Sequence, residues 1–225
     1  MAKLTKYADF IDRVDELGFM AFSSLLPGFP SLSGETPPYI WHTGEWETDP
    51  WRWKDRAAEE KKLAFGCVLG GHKGFISARM YPIFHKACHP REPMEERRAA
   101  GQINQYVWQL WRLFEAETLL DTGELRKRSG VTKKKGGGRV DSAISELEQD
   151  FYVTVAGSRQ RLDRFGRPYG WRINVYDRVE NWAPEGWLDG DPQMDREDAR
   201  ESILDTGVAI GRNVDRDELA KKLGF

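Results

Sequence analysis

Three features of this 225-residue sequence predict an α+β chain, mainly helical with small β-hairpins. Apolar residues recur in several segments at the three- and four-residue spacing of an amphipathic helix. The β-rich runs come as two short pairs, 64–69 with 74–76 and 151–158 with 169–176, each joined by polar, glycine-bearing residues. Between 121 and 176 a capped helix, a basic loop, a second helix and a long-tipped hairpin follow one another, which is the order of a winged helix-turn-helix.

The first helix is expected over 5–17, where Tyr7, Phe10, Ile11, Val14 and Leu17 share a face and Gly18 can close it. Pro27, Gly28, Pro30, Gly34, Pro37 and Pro38 then forbid regular structure through most of 26–39, while Phe29, Tyr39 and Trp41 give that stretch something to pack. Asp49-Pro50 is a helix start, an acidic cap before a proline whose missing N–H is no loss in the first turn, and 51–63 continues it. A hairpin over 64–76 turns at Gly70-Gly71-His72-Lys73. Ser77 is expected to cap the next helix, whose geometry Pro82 restricts. One long helix over 94–120, with Ile103, Val107, Leu110, Trp111 and Phe114 on one stripe, leads into the winged unit as its first helix.

Within that unit Asp121 and Glu124 have the spacing of a capping box, Leu125 faces inward and Gly130 can end the turn. The loop 131–139 holds Lys133, Lys134 and Lys135 before three glycines. In the second helix Val140, Ala143, Ile144 and Leu147 fall on the core stripe, leaving Arg139, Ser142, Ser145, Glu146 and Gln149 directed away from it, as in a recognition helix. The tip 159–168 is the wing. The tail 215–224 repeats the D-x-x-E-L-x-K-x-x-G pattern of 121–130 and reads as a docking element or the remnant of a second module, since the chain ends where a second recognition helix would begin. The expected division is an N-terminal, winged-helix-like unit over 1–92, a winged helix-turn-helix over 93–180 and an acidic helical tail over 181–225.

Charge gives this fold a function. Between 126 and 172 twelve lysines and arginines face five acids, a net of +7, so the remainder must carry −9 to reach the chain's −2. A cationic surface on three segments of one module is the footprint of a nucleic-acid binder. The expected contacts with double-stranded DNA are Arg126, Lys127, Arg128, Lys133, Lys134, Lys135, Arg139, Ser142, Ser145, Arg159, Arg161, Arg164 and Arg167. Most would meet phosphates; Arg139 and Ser142, then Ser145, stand best for base edges. No apolar run approaches a membrane span and the first residues lack the core of a signal peptide, which predicts a cytoplasmic, nucleoid-associated chain without membrane contact. Two cysteines fit a reducing compartment. Cys67, His72, His85, Cys88 and His89 match no zinc spacing, and neither a phosphate-cradling loop nor a nucleophile elbow occurs, so no metal, cofactor or catalytic set is expected. The tryptophans at 41, 46, 51 and 53 read as core rather than as a stacking platform.

Leu17-Gly18-Phe19-Met20, Trp41-His42-Thr43-Gly44, Asp49-Pro50-Trp51-Arg52-Trp53-Lys54, Gly74-Phe75-Ile76-Ser77 and Tyr169-Gly170-Trp171 stand in an order that resembles the AlkZ-type winged-helix proteins, and more closely the shorter AlkZ-related ones. That bacterial group includes DNA glycosylases acting on alkylated bases and interstrand crosslinks. The resemblance implies DNA binding through stacked winged-helix modules and, in the enzymes, a glutamine pair (Q-x-Q or Q-x-D) just after the Leu-Gly. Here those two positions fall on Ala21 and Ser23. Neither can orient or deprotonate a water for attack at a glycosidic carbon.

Three readings follow. The leading one is a non-enzymatic DNA-binding protein serving repair or transcription. The alternatives are a DNA glycosylase with a displaced site, for which Asp9, Asp12 and Glu45 are the available carboxylates, and a winged module that binds a protein partner through the acidic tail residues Asp189, Asp191, Asp195, Glu197, Asp198 and Glu201.

Overall fold

In the computed structural model, which describes residues 3–130 and 137–225, the chain starts with α1 (Tyr7–Leu17), buried on Tyr7, Phe10, Val14 and Leu17 as the spacing predicts. Gly18 ends it at φ 92°, its N–H donating to the Val14 carbonyl. The chain then enters β1 (Phe19–Ala21), α2 (Leu32–Glu35), one 3-10 turn at Pro38–Ile40, and α3 (Pro50–Glu59). Asp49 caps α3 as expected, accepting from the Trp51 N–H. The helix is shorter than the sequence suggested, because Lys61 takes a positive φ and Leu63 already belongs to the next strand. That strand, β2 (Leu63–Leu69), and β3 (His72–Ser77) form the predicted hairpin, with β1 added antiparallel along β3. Ser77 does not cap the following helix. It is the last residue of β3, Met80 takes the cap position of α4 (Tyr81–Cys88), and Pro82 sits in the first turn, where its missing N–H is tolerated.

The single helix expected over 94–120 is two. After α5 (Met94–Ala99) the chain reverses through Gly101 at φ 71°, and Asn104 caps α6 (Gln105–Ala116) by accepting from the Tyr106 and Val107 N–H groups. An asparagine offering its oxygen to a new helix start outcompetes continuation of the old one. Next come β4 (Leu120–Asp121), α7 (Thr122–Arg128), α8 (Gly137–Gln149), β5 (Val153–Arg159) and β6 (Ile173–Arg178). The capping box on α7 is complete: the Asp121 carboxylate accepts from Gly123 and Glu124, and Glu124 accepts from the Asp121 N–H at 2.8 Å. The chain ends with α9 (Val179–Trp182), α10 (Arg196–Ile210) and α11 (Arg216–Leu223).

The class is α+β, with eleven α-helices and two antiparallel three-stranded sheets among the described residues. Their strand orders are β1-β3-β2 and β4-β6-β5. Each sheet thus belongs to the same succession of helix, strand, two helices and hairpin, with the last strand in the centre.

Two apolar clusters bind the elements across these successions. One joins Phe10, Val14 and Trp53 to Leu110, Phe114, Val140, Ile144, Leu147 and Val155. The other joins Phe19 and Ile76 to Tyr81, Phe84 and Trp182, and to Ile203, Leu204, Leu219 and Leu223 of the C-terminal helices. Burying each such aliphatic or aromatic side chain is worth roughly 1.5–3 kcal/mol, which makes the C-terminal segment part of the core. The contact is close at Gly70, where a Cβ would overlap the Lys222 carbonyl.

Candidate nucleic-acid interface

Of the cations expected to meet DNA, the structure divides those already matched by carboxylates from those that are not. Arg126 makes a two-oxygen contact with Asp141 at 2.7 Å, Arg128 pairs with Glu117 at 2.7 Å, and Arg159 pairs with Asp121 and Glu124. Lys127 is exposed beside them. Lys133, Lys134 and Lys135 lie outside the described residues. Arg161, Arg164 and Arg167 make no ion pair among the described residues. Their guanidiniums lie instead over aromatic rings, Arg161 over Tyr169 at 4.8 Å and Arg164 and Arg167 over Phe165 at 4.6 and 5.4 Å. This tip has a defined shape: Asp163 accepts from the backbone N–H groups of Phe165 and Arg167, and Leu162 bridges to Pro168. It carries three guanidiniums without carboxylate partners, two of them over the Phe165 ring, which is 65% exposed.

Helix α8 is held more tightly than a free recognition helix. Val140, Ala143, Ile144 and Leu147 are buried as predicted. Ser145 and Gln149, expected to point away from the core, face the N-terminal hairpin: the Ser145 hydroxyl lies 3.5 Å from the Cys67 sulfur, and the Gln149 amide packs at Gly71. Between them Glu148 is fully enclosed, accepting from the Cys67 N–H at 3.2 Å. Burial pushes its carboxyl above the ordinary range, against the pull of Lys73 and that N–H. The same burial, with Glu148 nearby, raises the Cys67 thiol to about 11, so it is an inert packing group. Only the first turns of α8 remain open. There Arg139 is exposed and donates to the Tyr106 hydroxyl at 3.0 Å, while the Ser142 hydroxyl donates to the Gly138 carbonyl.

The hairpin does something the sequence did not announce. At its base Trp171 turns back onto the N-terminal unit, its ring centre 5.3 Å from His42 and 5.9 Å from Trp51, with His42 and Trp51 themselves 5.0 Å apart. These rings line a cleft of about 110 Å³ together with Gly44, Asp49, Arg52, Gln160, Gly170 and Arg172. Asp49 builds its floor. Its carboxylate accepts from the His42, Gly44 and Trp51 N–H groups, holding His42 at φ 62°. A non-glycine residue in that region carries backbone strain that its surroundings must sustain. Of the tryptophans expected in the core, Trp53 is fully buried, Trp41 and Trp51 are half-buried and Trp46 is exposed.

The remaining sequence candidates are placed as follows. Ala21 is fully buried in β1 opposite Gly74, and Ser23 is exposed just beyond it. Asp9 and Asp12 lie on the outer face of α1 and Glu45 in the exposed loop before α3. His85 and His89 stack at 4.7 Å; burial, with His89 adding a little, drives His85 down to about 4. No group of three or more metal-ligating side chains occurs among the described residues. Much of the tail's acidity is used internally: Asp195 and Asp198 form the capping box of α10, and Glu201 pairs with Arg216. No helix among the described residues is long and apolar enough to cross a membrane.

A search of curated proteins gives no match. Among solved structures, the chain is similar to the Streptomyces sahachiroi DNA glycosylase AlkZ over 99% of its own length and 60% of that protein's, at 11% identity and a TM-score of 0.47. It thus spans about three fifths of that enzyme. The model of the family described as AlkZ related matches residues 4–224, and the chain belongs to that family.

Proposed function

We propose that this chain is a DNA-binding protein whose second unit, α6 to β6, is a winged helix-turn-helix that grips the duplex backbone by its wing. The observation that carries this reading is the tip 161–167, a hydrogen-bonded turn with three guanidiniums that have no carboxylate partner, two over the exposed Phe165 ring and one over Tyr169. Mobile counterions on phosphates are displaced by such charges, and the affinity gained is independent of sequence. Lys133, Lys134 and Lys135, outside the described residues, add three more cations to the same stretch of sequence. Base reading falls to Arg139 and Ser142, because the face of α8 bearing Ser145 is spent on the N-terminal hairpin. Arg126, Arg128 and Arg159 shape the surface and contribute less, since each must leave a carboxylate to reach a phosphate. Membership of the AlkZ-related family, and the glycosylase activity in the name of the similar solved structure, agree with DNA as the partner.

The reading is of binding without base excision. A buried methyl group at Ala21 and an exposed hydroxyl at Ser23 supply no general base at the positions where the resemblance puts the glutamine pair. With enzyme in excess over alkylated or crosslinked duplex, so that slow product release cannot hide chemistry, the protein should hold the DNA and leave it free of abasic sites. Abasic sites formed in a single turnover would contradict the non-enzymatic part of the proposal, and absence of duplex binding at low salt would contradict its core.

A further inference from the structure

We propose that the cleft between His42, Trp51 and Trp171 is a binding site for one unpaired nucleobase, an inference that rests on the DNA-binding reading above. Its walls come from two units some 120 residues apart in sequence, and their geometry suits a planar ring. The three rings meet pairwise at 51°, 68° and 64°, so none is stacked flat on another, and the Lys54 ammonium lies over the Trp51 ring at 4.8 Å. Trp171 remains 63% exposed although it touches both other rings, a large apolar surface that packing alone leaves unexplained. The cleft of about 110 Å³ is smaller than the roughly 150 Å³ cavity that encloses a benzene ring, so this open site can take one base against its aromatic walls without enclosing it and has no room for a base pair.

Charge selects among planar guests. An aromatic cage can also hold an organic cation, but here Arg52 and Arg172 stand at the rim, and the one carboxylate in the lining, Asp49, is consumed by three backbone N–H groups. Arg52 has a buried Nε without a hydrogen-bond partner, whereas Arg172 is steadied by Ser158 and Glu59. A ring that brings a phosphate with it meets this lining favourably and a cationic guest does not. The site is also held ready, since Asp49 fixes the strained His42 turn and the Gln160 amide donates to the Tyr169 and Gly170 carbonyls beside Trp171. It lies at the root of the same hairpin that carries Arg161, Arg164 and Arg167, so a strand gripped by the wing passes near it.

The test uses the full chain and three probes of one sequence carrying 2-aminopurine: a paired duplex, the same duplex with the fluorophore in a one-nucleotide bulge, and the single strand. Stacking one base on an aromatic side chain changes affinity by roughly ten- to a hundredfold. The wild type should therefore prefer the bulge or the single strand over the paired duplex by at least about tenfold and quench the fluorophore on binding. The probe showing the larger preference tells whether an extruded base or an open strand is the source. Trp171→Ala should abolish both preference and quenching while leaving paired-duplex affinity unchanged, and Trp171→Phe should restore most of both. Duplex binding with no preference for the unpaired base, or equal weakening of all probes by Trp171→Ala, would overturn this inference alone. Failure of the wild type to bind any probe would remove the reading on which it rests.

Discussion

Glu148 places a buried carboxyl where α8 meets the first sheet, with the Cys67 N–H as its donor. Burial between the first sheet and α8 raises the folded-state pKa of this carboxyl above the ordinary value of 4.5. The fold therefore binds this proton more tightly than the unfolded chain does. The stability contributed is full below the ordinary pKa and is lost as pH rises through the raised folded value. Glu148→Gln keeps an oxygen for the Cys67 N–H and cannot ionise. In urea unfolding it should match the wild type near the ordinary pKa and exceed it at mildly alkaline pH, where the wild type must either carry a buried charge or keep its proton against the solvent. A variant less stable than the wild type at alkaline pH would show that the charged form, drawn by Lys73, is the stabilising one.

The elements carry the clearest record of what local chemistry determines. In α7 the Asp121 carboxylate satisfies two N–H groups and holds Arg159 as well. Asp121→Ala should cost about 1–2 kcal/mol of unfolding free energy, and Asp121→Asn, which caps nearly as well, less than half of that. Equal losses would mean that the ion pair with Arg159, half-exposed as it is, matters more than the cap. Such boxes are legible in a sequence because all their partners lie within four residues. The proline start of α3 and the apolar stripe of α8 were legible for the same reason, and the hairpin over 64–76 because a glycine-bearing turn joins its two apolar runs. Strand β1 was not, since three residues directly after a helix show no period, and the break before α6 was hidden by Ile103 and Val107 continuing the helical stripe. Ser145 and Gln149 look outward by helical spacing and are covered only because β2 packs there.

At the scale of the whole molecule the chain separates its charges, +7 on 126–172 and −9 on the rest, while two apolar clusters tie the oppositely charged parts into one packed structure. Sequence spacing could give the charge separation but not its pairing. Arg126, Arg128 and Arg159 are matched by acids lying 11 to 38 residues away, whereas Lys127, Arg139 and the three arginines of the tip 161–167 make no ion pair among the described residues. The cleft at Trp171 was beyond sequence reasoning for a similar cause: His42, Trp51 and Trp171 become neighbours only when the two units pack.

The central claim, that this packing presents the wing to phosphates, is tested most directly by the salt dependence of duplex affinity for the wild type and for Arg161→Ala/Arg164→Ala/Arg167→Ala, all three being side chains outside the core. Each phosphate contact contributes about 0.9 to the slope of log K against log salt, so the triple variant should bind more weakly at every salt concentration with a slope shallower by about 2.7. The same slope and affinity in both proteins would contradict the account.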